Sequence, residues 1–268
     1  MLFHYKQHKI YPNEYPVIKI NDSVLQFEQQ YKFLGVVLDD TLSWNYHINT
    51  LSTKVSKFNG LLSKLKHFFP TKILLLIYNT LILSRLTYGI ILWGFGSLDR
   101  LKLIQKKIIR NINKSPFYSH TQPICKSLKL LLLDDIFKVS CLKFYYKYQK
   151  NNIPWYFKDI EIIKPYIPQR YNFRMITPTQ FPDFVTDQVN FRPEFELPKT
   201  KKKSSENRIA YYLPMILNYK IIPNSVLEKI NTHSLQGVSY YFKNQIINNY
   251  NIECTTVNCF VCNGNSNG

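Results

Sequence analysis

The sequence predicts an α+β fold that is mostly α-helical: a short N-terminal β-hairpin region, a helical bundle, a proline-rich irregular segment and a small helical tail. Two observations carry this prediction. Within residues 1–40 the apolar residues form short β-prone runs, Y-P-V-I-K-I, S-V-L-Q-F and Y-K-F-L-G-V-V-L. From Ser43 onward the apolar period becomes helical. The chain has 268 residues, 45% of them hydrophobic, which is enough for a sizeable core.

Residues 43–153 are predicted to form the helical bundle. Its first helix carries an apolar stripe at alternating steps of three and four residues, made of Ile48, Leu51, Val55, Phe58, Leu62 and Leu65. Pro70 is predicted to end this helix. Residues 73–95 are apolar nearly throughout and long enough to cross a bilayer. Because Arg85 and several polar residues interrupt them, two buried helices that meet near Ser84 are the favoured interpretation.

Helix caps and composition predict the rest of the architecture. The predicted N-caps are Thr71, Ser97, Thr121, Asp134 or Asp135, and Ser234. The helix that follows Asp134 or Asp135 should run to about Lys150. Residues 154–206 hold half of the chain's 14 prolines and lose periodicity, which predicts a linker. Residues 207–268 are predicted to be a helical tail that ends in a cysteine cluster.

The charge of the chain points to a polyanionic partner. Lys and Arg number 35 against 17 Asp and Glu, which gives a formal charge of +18. Nucleic acid is the commonest such partner, and an anionic membrane surface is the other. A codon bias toward Lys, Asn and Ile explains part of the lysine count but not the scarcity of acids. With eight glycines and no G-x-x-x-x-G-K or G-x-G-x-x-G, the chain lacks a nucleotide-binding phosphate loop.

A basic helical surface is the first candidate site. It consists of Lys54, Lys57, Lys64, Lys102, Lys106, Lys107 and Arg110. Few acids are interleaved, so pairing along the helices cannot be the main role of these cations. A track for a phosphate backbone and an ordinary solvated face are both open interpretations. Tyr145, Tyr146 and Tyr148 could stack bases, but core packing is favoured for most of them.

Carboxylates and cysteines supply two metal-site candidates. Asp39 and Asp40 follow a β-prone run, as metal-binding aspartates do in two-metal enzymes. No second acidic strand precedes them, so an acidic turn before a helix is favoured. Near the C-terminus, Cys254, Cys259 and Cys262 include one C-x-x-C pair, which suits zinc, while free thiols in a frayed tail are the alternative.

The remaining cysteines bear on the cellular compartment. Cys125 and Cys141 stand alone in apolar surroundings and are predicted to be buried small hydrophobes. The count of five cysteines is odd, and no signal peptide is evident. An intracellular, reducing compartment is therefore expected, with nucleus and cytoplasm both open.

Ordered motifs resemble one family. The matching positions are Tyr31 to Val36, Asp39, Leu42, Trp44, His47 and Ile48, then Tyr88-Gly89, Trp93-Gly94, Gln105-Lys106, Arg110, Ser119-His120-Thr121, Ser234-Leu235 and Phe242-Lys243. Their order resembles the region after the palm in reverse transcriptases of non-LTR retrotransposons of the LINE and jockey type. Each match is weak alone, but the shared order over much of the chain is specific.

The resemblance implies the C-terminal portion of an RNA-directed DNA polymerase. Residues 1–42 would then be a palm remnant with primer-grip strands, and residues 43–153 a thumb-like bundle. Phe33, Leu34 and Gly35 would belong to the primer grip. The partners would be RNA, an RNA–DNA duplex or DNA, with no membrane; protein partners are not implied.

The same resemblance bears on catalysis. The intact family enzyme uses Mg²⁺ at a Y-x-D-D motif, which this sequence does not contain. The chain by itself is therefore expected to be non-catalytic and to need no cofactor, apart from zinc if the C-terminal cysteines bind it. The alternative is a freestanding basic module for nucleic-acid binding, with or without that zinc.

Overall fold

The structure is a computed structural model that describes residues 17–21, 23–154 and 209–251. It confirms the predicted fold class: the described residues are mostly helical, with short hairpins at the N-terminal end. The chain divides into two compact units, residues 1–141 with 239–268, and residues 142–238. The predicted linker lies outside the described residues, apart from Pro154.

Two antiparallel hairpins begin the described part of the chain. The strands are β1 Lys19–Ile20, β2 Ser23–Val24, β3 Gln30–Phe33 and β4 Val36–Asp39. β1 pairs with β2, and β3 pairs with β4. The β-prone run at residues 31–38 is therefore two strands and not one. Leu34 and Gly35 have φ angles of 46° and 87°, and two successive positive φ angles are what a type I′ hairpin turn requires.

Helices account for most of the remaining described residues. They are α1 Asn45–Leu65, α2 Thr71–Ile77, α3 Ser84–Thr87, α4 Ile90–Trp93, α5 Asp99–Ile112, α6 Thr121–Leu128, α7 Leu133–Gln149, α8 Ile209–Asn218, α9 Asn224–Leu227, α10 Lys229–Thr232 and α11 Leu235–Asn248. A π-helical stretch, Tyr78–Leu83, joins α2 to α3. The predicted end of α7 near Lys150 is confirmed.

The predicted caps have mixed outcomes. Ser234 is confirmed, because its Oγ accepts a hydrogen bond from the Gly237 N–H at 3.2 Å. Three predicted caps are wrong: the N-caps are Pro70 for α2, Leu98 for α5 and His120 for α6, and none makes a side-chain cap bond. The prediction for α7 is also wrong, since Asp134 and Asp135 lie inside its first turn.

The apolar stripe of α1 packs as predicted. Ile48, Leu51, Val55 and Leu62 are buried, and Phe58 and Leu65 are half-buried. The face of α1 that carries lysines stays exposed. This stripe packs against α5, and tertiary burial of an amphipathic face of this kind stabilises a helix more than the intrinsic propensity of its residues does.

The apolar segment that follows is one helical stretch up to Thr87. The expected break at Ser84 is wrong, because the helix continues through Ser84 and ends at Tyr88–Gly89. Gly89 takes a φ of 62°, a left-handed conformation that glycine adopts without the strain of a Cβ. Within the described ranges, no helix is long and apolar enough to span a bilayer.

A buried glutamine joins three elements of the first unit. Gln105 of α5 is 1% exposed. Its Nε2 donates to the Tyr78 hydroxyl and to the Leu131 carbonyl, both at 3.0 Å. Its Oε1 accepts from the Leu133 N–H at 2.8 Å. Burial raises the pKa of Tyr78 to about 12, although the bond from Gln105 opposes that shift. The amide thus fixes the start of α7 against α5.

Two glycines allow a close approach of helices in the same unit. A Cβ on Gly94 would collide with the Phe137 ring, and a Cβ on Gly96 would collide with the Ile48 side chain. The Phe95 ring meets the Phe137 ring edge-on, with centroids 5.0 Å apart. The turn between α4 and α5 can therefore lie directly against α1 and α7.

The second unit also contains buried apolar side chains. The buried side chains of α8 include Leu213, Met215, Ile216 and Leu217, and those of α9 and α10 are Val226 and Ile230. The Tyr146 hydroxyl donates to the His233 carbonyl at 3.0 Å within this unit. Tyr145 is buried, which agrees with the core role favoured for it, and Tyr146 and Tyr148 are half-buried.

Candidate nucleic-acid interface

The tip of the β3–β4 hairpin presents apolar side chains to solvent. Phe33 is 56% exposed and Leu34 is 74% exposed, and Gly35 is exposed as well. The backbone of the tip is nevertheless held in place. The Tyr88 hydroxyl donates to the Leu34 carbonyl at 2.6 Å, and a Cβ on Gly35 would lie 3.5 Å from the Tyr88 ring.

A histidine anchors the other strand of this hairpin to α1. The Val37 N–H donates to His47 Nδ1 at 3.2 Å. The His47 ring packs on Trp93 with centroids 5.4 Å apart, and Trp93 Nε1 donates to the Tyr88 carbonyl at 2.9 Å. Burial, and to a lesser extent the charge of Lys54, lower the pKa of His47. At neutral pH the ring is therefore uncharged, as an accepting Nδ1 requires.

Asp39 closes the turn between β4 and α1. It is 1% exposed, and its two carboxylate oxygens accept four hydrogen bonds. Oδ1 accepts from the Thr41 N–H, the Thr41 hydroxyl and the Ser43 N–H; Oδ2 accepts from the Ser43 hydroxyl. The carboxylate thus accepts hydrogen bonds throughout the turn that leads into α1, which agrees with the acidic-turn interpretation. Among the described residues, no group of three or more His, Cys, Asp or Glu could hold a metal ion.

The lysines of α1 remain available at the surface. Lys54, Lys57 and Lys64 are all exposed. Lys57 and Lys64 lie opposite the buried stripe of α1, and Lys54 lies at its edge. No ion pair involves them within the described ranges. Their charges are therefore free to meet a polyanion.

The cations of α5 fall into two groups. Lys107 is exposed and Lys106 is half-buried. Lys102 instead forms an ion pair with Asp134, with an Nζ–Oδ1 distance of 2.9 Å. Arg110 is half-buried, and its Nε donates to the Ser119 carbonyl at 2.7 Å. Burial lowers the pKa of Arg110, but arginine stays charged at neutral pH. Arg110 thus stabilises the loop after α5 in the structure without a ligand.

Polar contacts align α1 with α5. Lys66 Nζ donates to Asn111 Oδ1 at 3.2 Å, and Asn111 Nδ2 donates to Asn59 Oδ1 at 3.0 Å. The C-terminal ends of the two helices are therefore neighbours. The two lysine-bearing helices belong to one packed pair, in the unit that also carries the hairpin.

Two exposed aromatic residues were missed by sequence reasoning. Phe117 and Tyr118 are 60% and 65% exposed, in the loop between α5 and α6. The signal was present, since S-P-F-Y-S sets adjacent aromatics among small polar residues at a turn, where core residues are not expected.

The cysteine predictions divide between described and undescribed residues. Cys125 and Cys141 are buried free cysteines, as predicted. Burial raises the pKa of Cys125 to about 12 and raises that of Cys141 as well, so neither thiol is reactive at neutral pH. Cys254, Cys259 and Cys262 lie outside the described residues. Zinc there stays a prediction, which metal analysis of the purified protein tests.

Comparison with known proteins finds one recurring likeness. The chain is 32% identical over 128 residues to the RNA-directed DNA polymerase from mobile element jockey of Drosophila funebris. It is 28% identical over 127 residues to the polymerase of the same description from Drosophila melanogaster. Each match covers 45% of this chain and 14% of the relative.

The matched stretch is a small part of both relatives. The chain matches about one seventh of their length, 14%. No protein-family model matches the sequence, and no solved structure matches it. Over part of its length, the chain is distantly related to jockey reverse transcriptase.

Proposed function

We propose that this chain is the part of a jockey-like RNA-directed DNA polymerase that grips nucleic acid, and that it does not polymerise by itself. The observation that carries the proposal is the similarity to two jockey polymerases, whose description names both an RNA template and a DNA product. The formal charge of +18 supports a nucleic-acid partner independently of that similarity.

The lysines of α1 are proposed to contact the phosphate backbone. Lys54, Lys57 and Lys64 are exposed on one helix, and the packing of α1 on α5 fixes the helix that carries them. A preset row of cations loses little entropy when it binds a polyanion. Each lysine that neutralises a phosphate also releases counterions, so binding should weaken steeply as salt rises.

The β3–β4 hairpin is proposed to hold the end of the primer strand. Its tip combines exposed apolar side chains, Phe33 and Leu34, with a backbone fixed by Tyr88. Rigid apolar groups of this kind can pack against sugars and bases without sequence preference. His47 and Asp39 would act as positioning residues, since they hold the strand that follows the tip.

Catalysis is proposed to be absent from this chain. The sequence has no Y-x-D-D, and the hydrogen bonds of Asp39 occupy both of its oxygens. When bound in an intact enzyme, Mg²⁺ would stabilise the charge that develops on the transferred phosphate. A primer-extension assay with Mg²⁺ should give no incorporation by this chain, and measurable incorporation would contradict this part of the proposal.

Charge reversal on α1 tests the grip. Changing Lys54, Lys57 and Lys64 together to Glu should lower the affinity for an RNA–DNA duplex by at least ~tenfold, and should reduce the salt slope by about two to three. The matched control changes Lys143 and Lys147 of α7 and Lys150 just after it, which are also exposed, so the net charge shifts equally. Equal losses in the two triple variants would show that only net charge matters, and would refute a specific contact by α1.

A further inference from the structure

A short turn after α5 displays two aromatic rings side by side. Phe117 and Tyr118 occupy its centre, and the Ser119 N–H closes it on the Pro116 carbonyl at 3.2 Å. The ring centroids are 5.2 Å apart and the planes are nearly perpendicular, at 88°. Because a perpendicular pair covers at most one ring face by mutual contact, the pair leaves aromatic surface open to solvent.

Two cations flank this pair. Lys107 Nζ lies 5.8 Å from the centroid of the Phe117 ring, and Arg110 Cζ lies 5.9 Å from it. Both distances are within the range of a cation–π attraction. The turn therefore presents solvent-exposed aromatic rings and two positive charges that lie within about 6 Å of the Phe117 ring.

The loop is fixed before any ligand arrives. Arg110 Nε holds the Ser119 carbonyl, and the Ser115 N–H donates to the Arg110 carbonyl at 3.0 Å. Asn113 Nδ2 donates to Ser115 Oγ at 2.7 Å. The turn is thus tied to the end of α5 on both sides. Preset rings lose less entropy on binding than rings on a free loop.

We propose that Phe117 and Tyr118 stack an unpaired base of single-stranded nucleic acid, while Lys107 and Arg110 meet its phosphates. A ring face suits any base, and cations suit the backbone that carries it, so one ligand satisfies both features. An acidic peptide would satisfy the cations but not the rings. The inference rests on the proposed function and adds a strand-holding site for unpaired nucleotides beside the duplex grip.

The test compares two oligonucleotides on the full chain. Wild-type protein should bind a thymidine homopolymer roughly tenfold more tightly than a strand of equal length that carries abasic sites, because only the former can stack. This measurement uses only the wild-type protein, so it tests the stacking of bases even if a substitution would disturb the loop. Equal affinity for both strands would overturn the inference and would leave a simple anion site.

A substitution then locates the effect. Tyr118→Ala should lose most of the preference for thymidine over the abasic strand, and Tyr118→Trp should keep it. Tyr240→Ala is the matched control, since Tyr240 is 69% exposed on α11 and makes no cation–π contact with the described residues. An equal loss in Tyr118→Ala and Tyr240→Ala would also overturn the inference.

The two proposals fail in different ways. If the wild-type chain binds the duplex with a steep salt slope but ignores the bases of a single strand, only the stacking site is wrong. If reversal of the α1 lysines leaves the affinity for duplex unchanged, the grip proposal is wrong whatever the single strands show.

Discussion

The tripeptide Leu-Asp-Asp occurs twice in the first compact unit, at residues 38–40 and at residues 133–135. In both copies one carboxylate is buried: Asp39 is 1% exposed and Asp135 is 7% exposed. The partners of the two carboxylates differ. Among the described residues, the Asp39 carboxylate bonds only Thr41 and Ser43, whereas Asp135 accepts a hydrogen bond at 2.5 Å from the hydroxyl of Tyr250, 115 residues away.

Asp39 therefore has a local structural role, and Asp135 has a long-range one. Asp39 shapes the chain next to itself and so presents the β3–β4 hairpin to α1. Asp135 fixes the far end of the described chain, and Lys126 assists it by donating from Nζ to the Asn248 and Tyr250 carbonyls. The same tripeptide thus has two structural roles. The role of each copy depends on which hydrogen-bond donors the fold places next to its buried carboxylate.

The largest effect is expected at the local site. Asp39→Ala should lower the free energy of unfolding by about 3 kcal/mol, because it leaves two backbone N–H groups and two hydroxyls without their acceptor in a half-buried turn. Urea unfolding followed by circular dichroism measures the change.

Asp39→Asn is the matched control for that variant. An amide keeps one accepting oxygen, and its NH₂ can donate to the Ser43 hydroxyl, so the loss should be less than half as large. If Ala and Asn are equally destabilising, the negative charge rather than the hydrogen-bond set is what matters at this turn.

A smaller effect is expected at the long-range site. Tyr250→Phe keeps the buried ring but removes the hydroxyl that donates to Asp135 and accepts the Leu132 N–H at 3.0 Å. The free energy of unfolding should fall by about 1–2 kcal/mol, less than for Asp39→Ala, because Lys138 still bonds Asp135 at 2.8 Å.

The pH dependence of that variant sharpens the comparison. Burial first, and then the charge of Asp135, raise the pKa of Tyr250 in the folded chain. The hydroxyl therefore stabilises the fold fully below about pH 10, where tyrosine in the unfolded chain is protonated, and less as the pH rises above it. The stability advantage of wild type over Tyr250→Phe should shrink above about pH 10, and an advantage that grows there would contradict the assignment.

Sequence reasoning predicted correctly those features whose interacting residues lie close together in the sequence. The stripe of α1, the exposure of Lys54 and Lys57, and the acidic turn at Asp39 all follow from spacing within a few residues. It did not identify Gln105 as buried, because a glutamine in a basic helix is typical of a surface position. Its partners, the Leu133 N–H and the Tyr78 hydroxyl, are distant in sequence. Long-range pairing leaves no local periodicity to detect.

The candidate interface shows the same division. Lys102 and Arg110 were grouped with the free lysines because they share a helix face, yet Asp134 and the Ser119 carbonyl engage them. Only the fold reveals those partners. The bundle boundaries and the role of Phe33 at the primer grip stay predictions that the structure does not test.

The smallest effect is expected at the partly exposed acid of the second Leu-Asp-Asp. Asp134 pairs with Lys102, and their side chains are 43% and 34% exposed. Water screens such a pair, so Asp134→Ala should change the free energy of unfolding by no more than about 0.5 kcal/mol, and a double-mutant cycle with Lys102→Ala should give a coupling of similar size.

The same variant links stability to binding. Removing Asp134 frees Lys102 for phosphate without disturbing α5, so the affinity for an RNA–DNA duplex should hold or rise slightly. A fall in affinity would mean that the ion pair positions Lys102 for the ligand instead of competing with it. In that case the partly exposed acid would have a role in binding, in contrast to its buried neighbour Asp135, whose contacts lie within the fold.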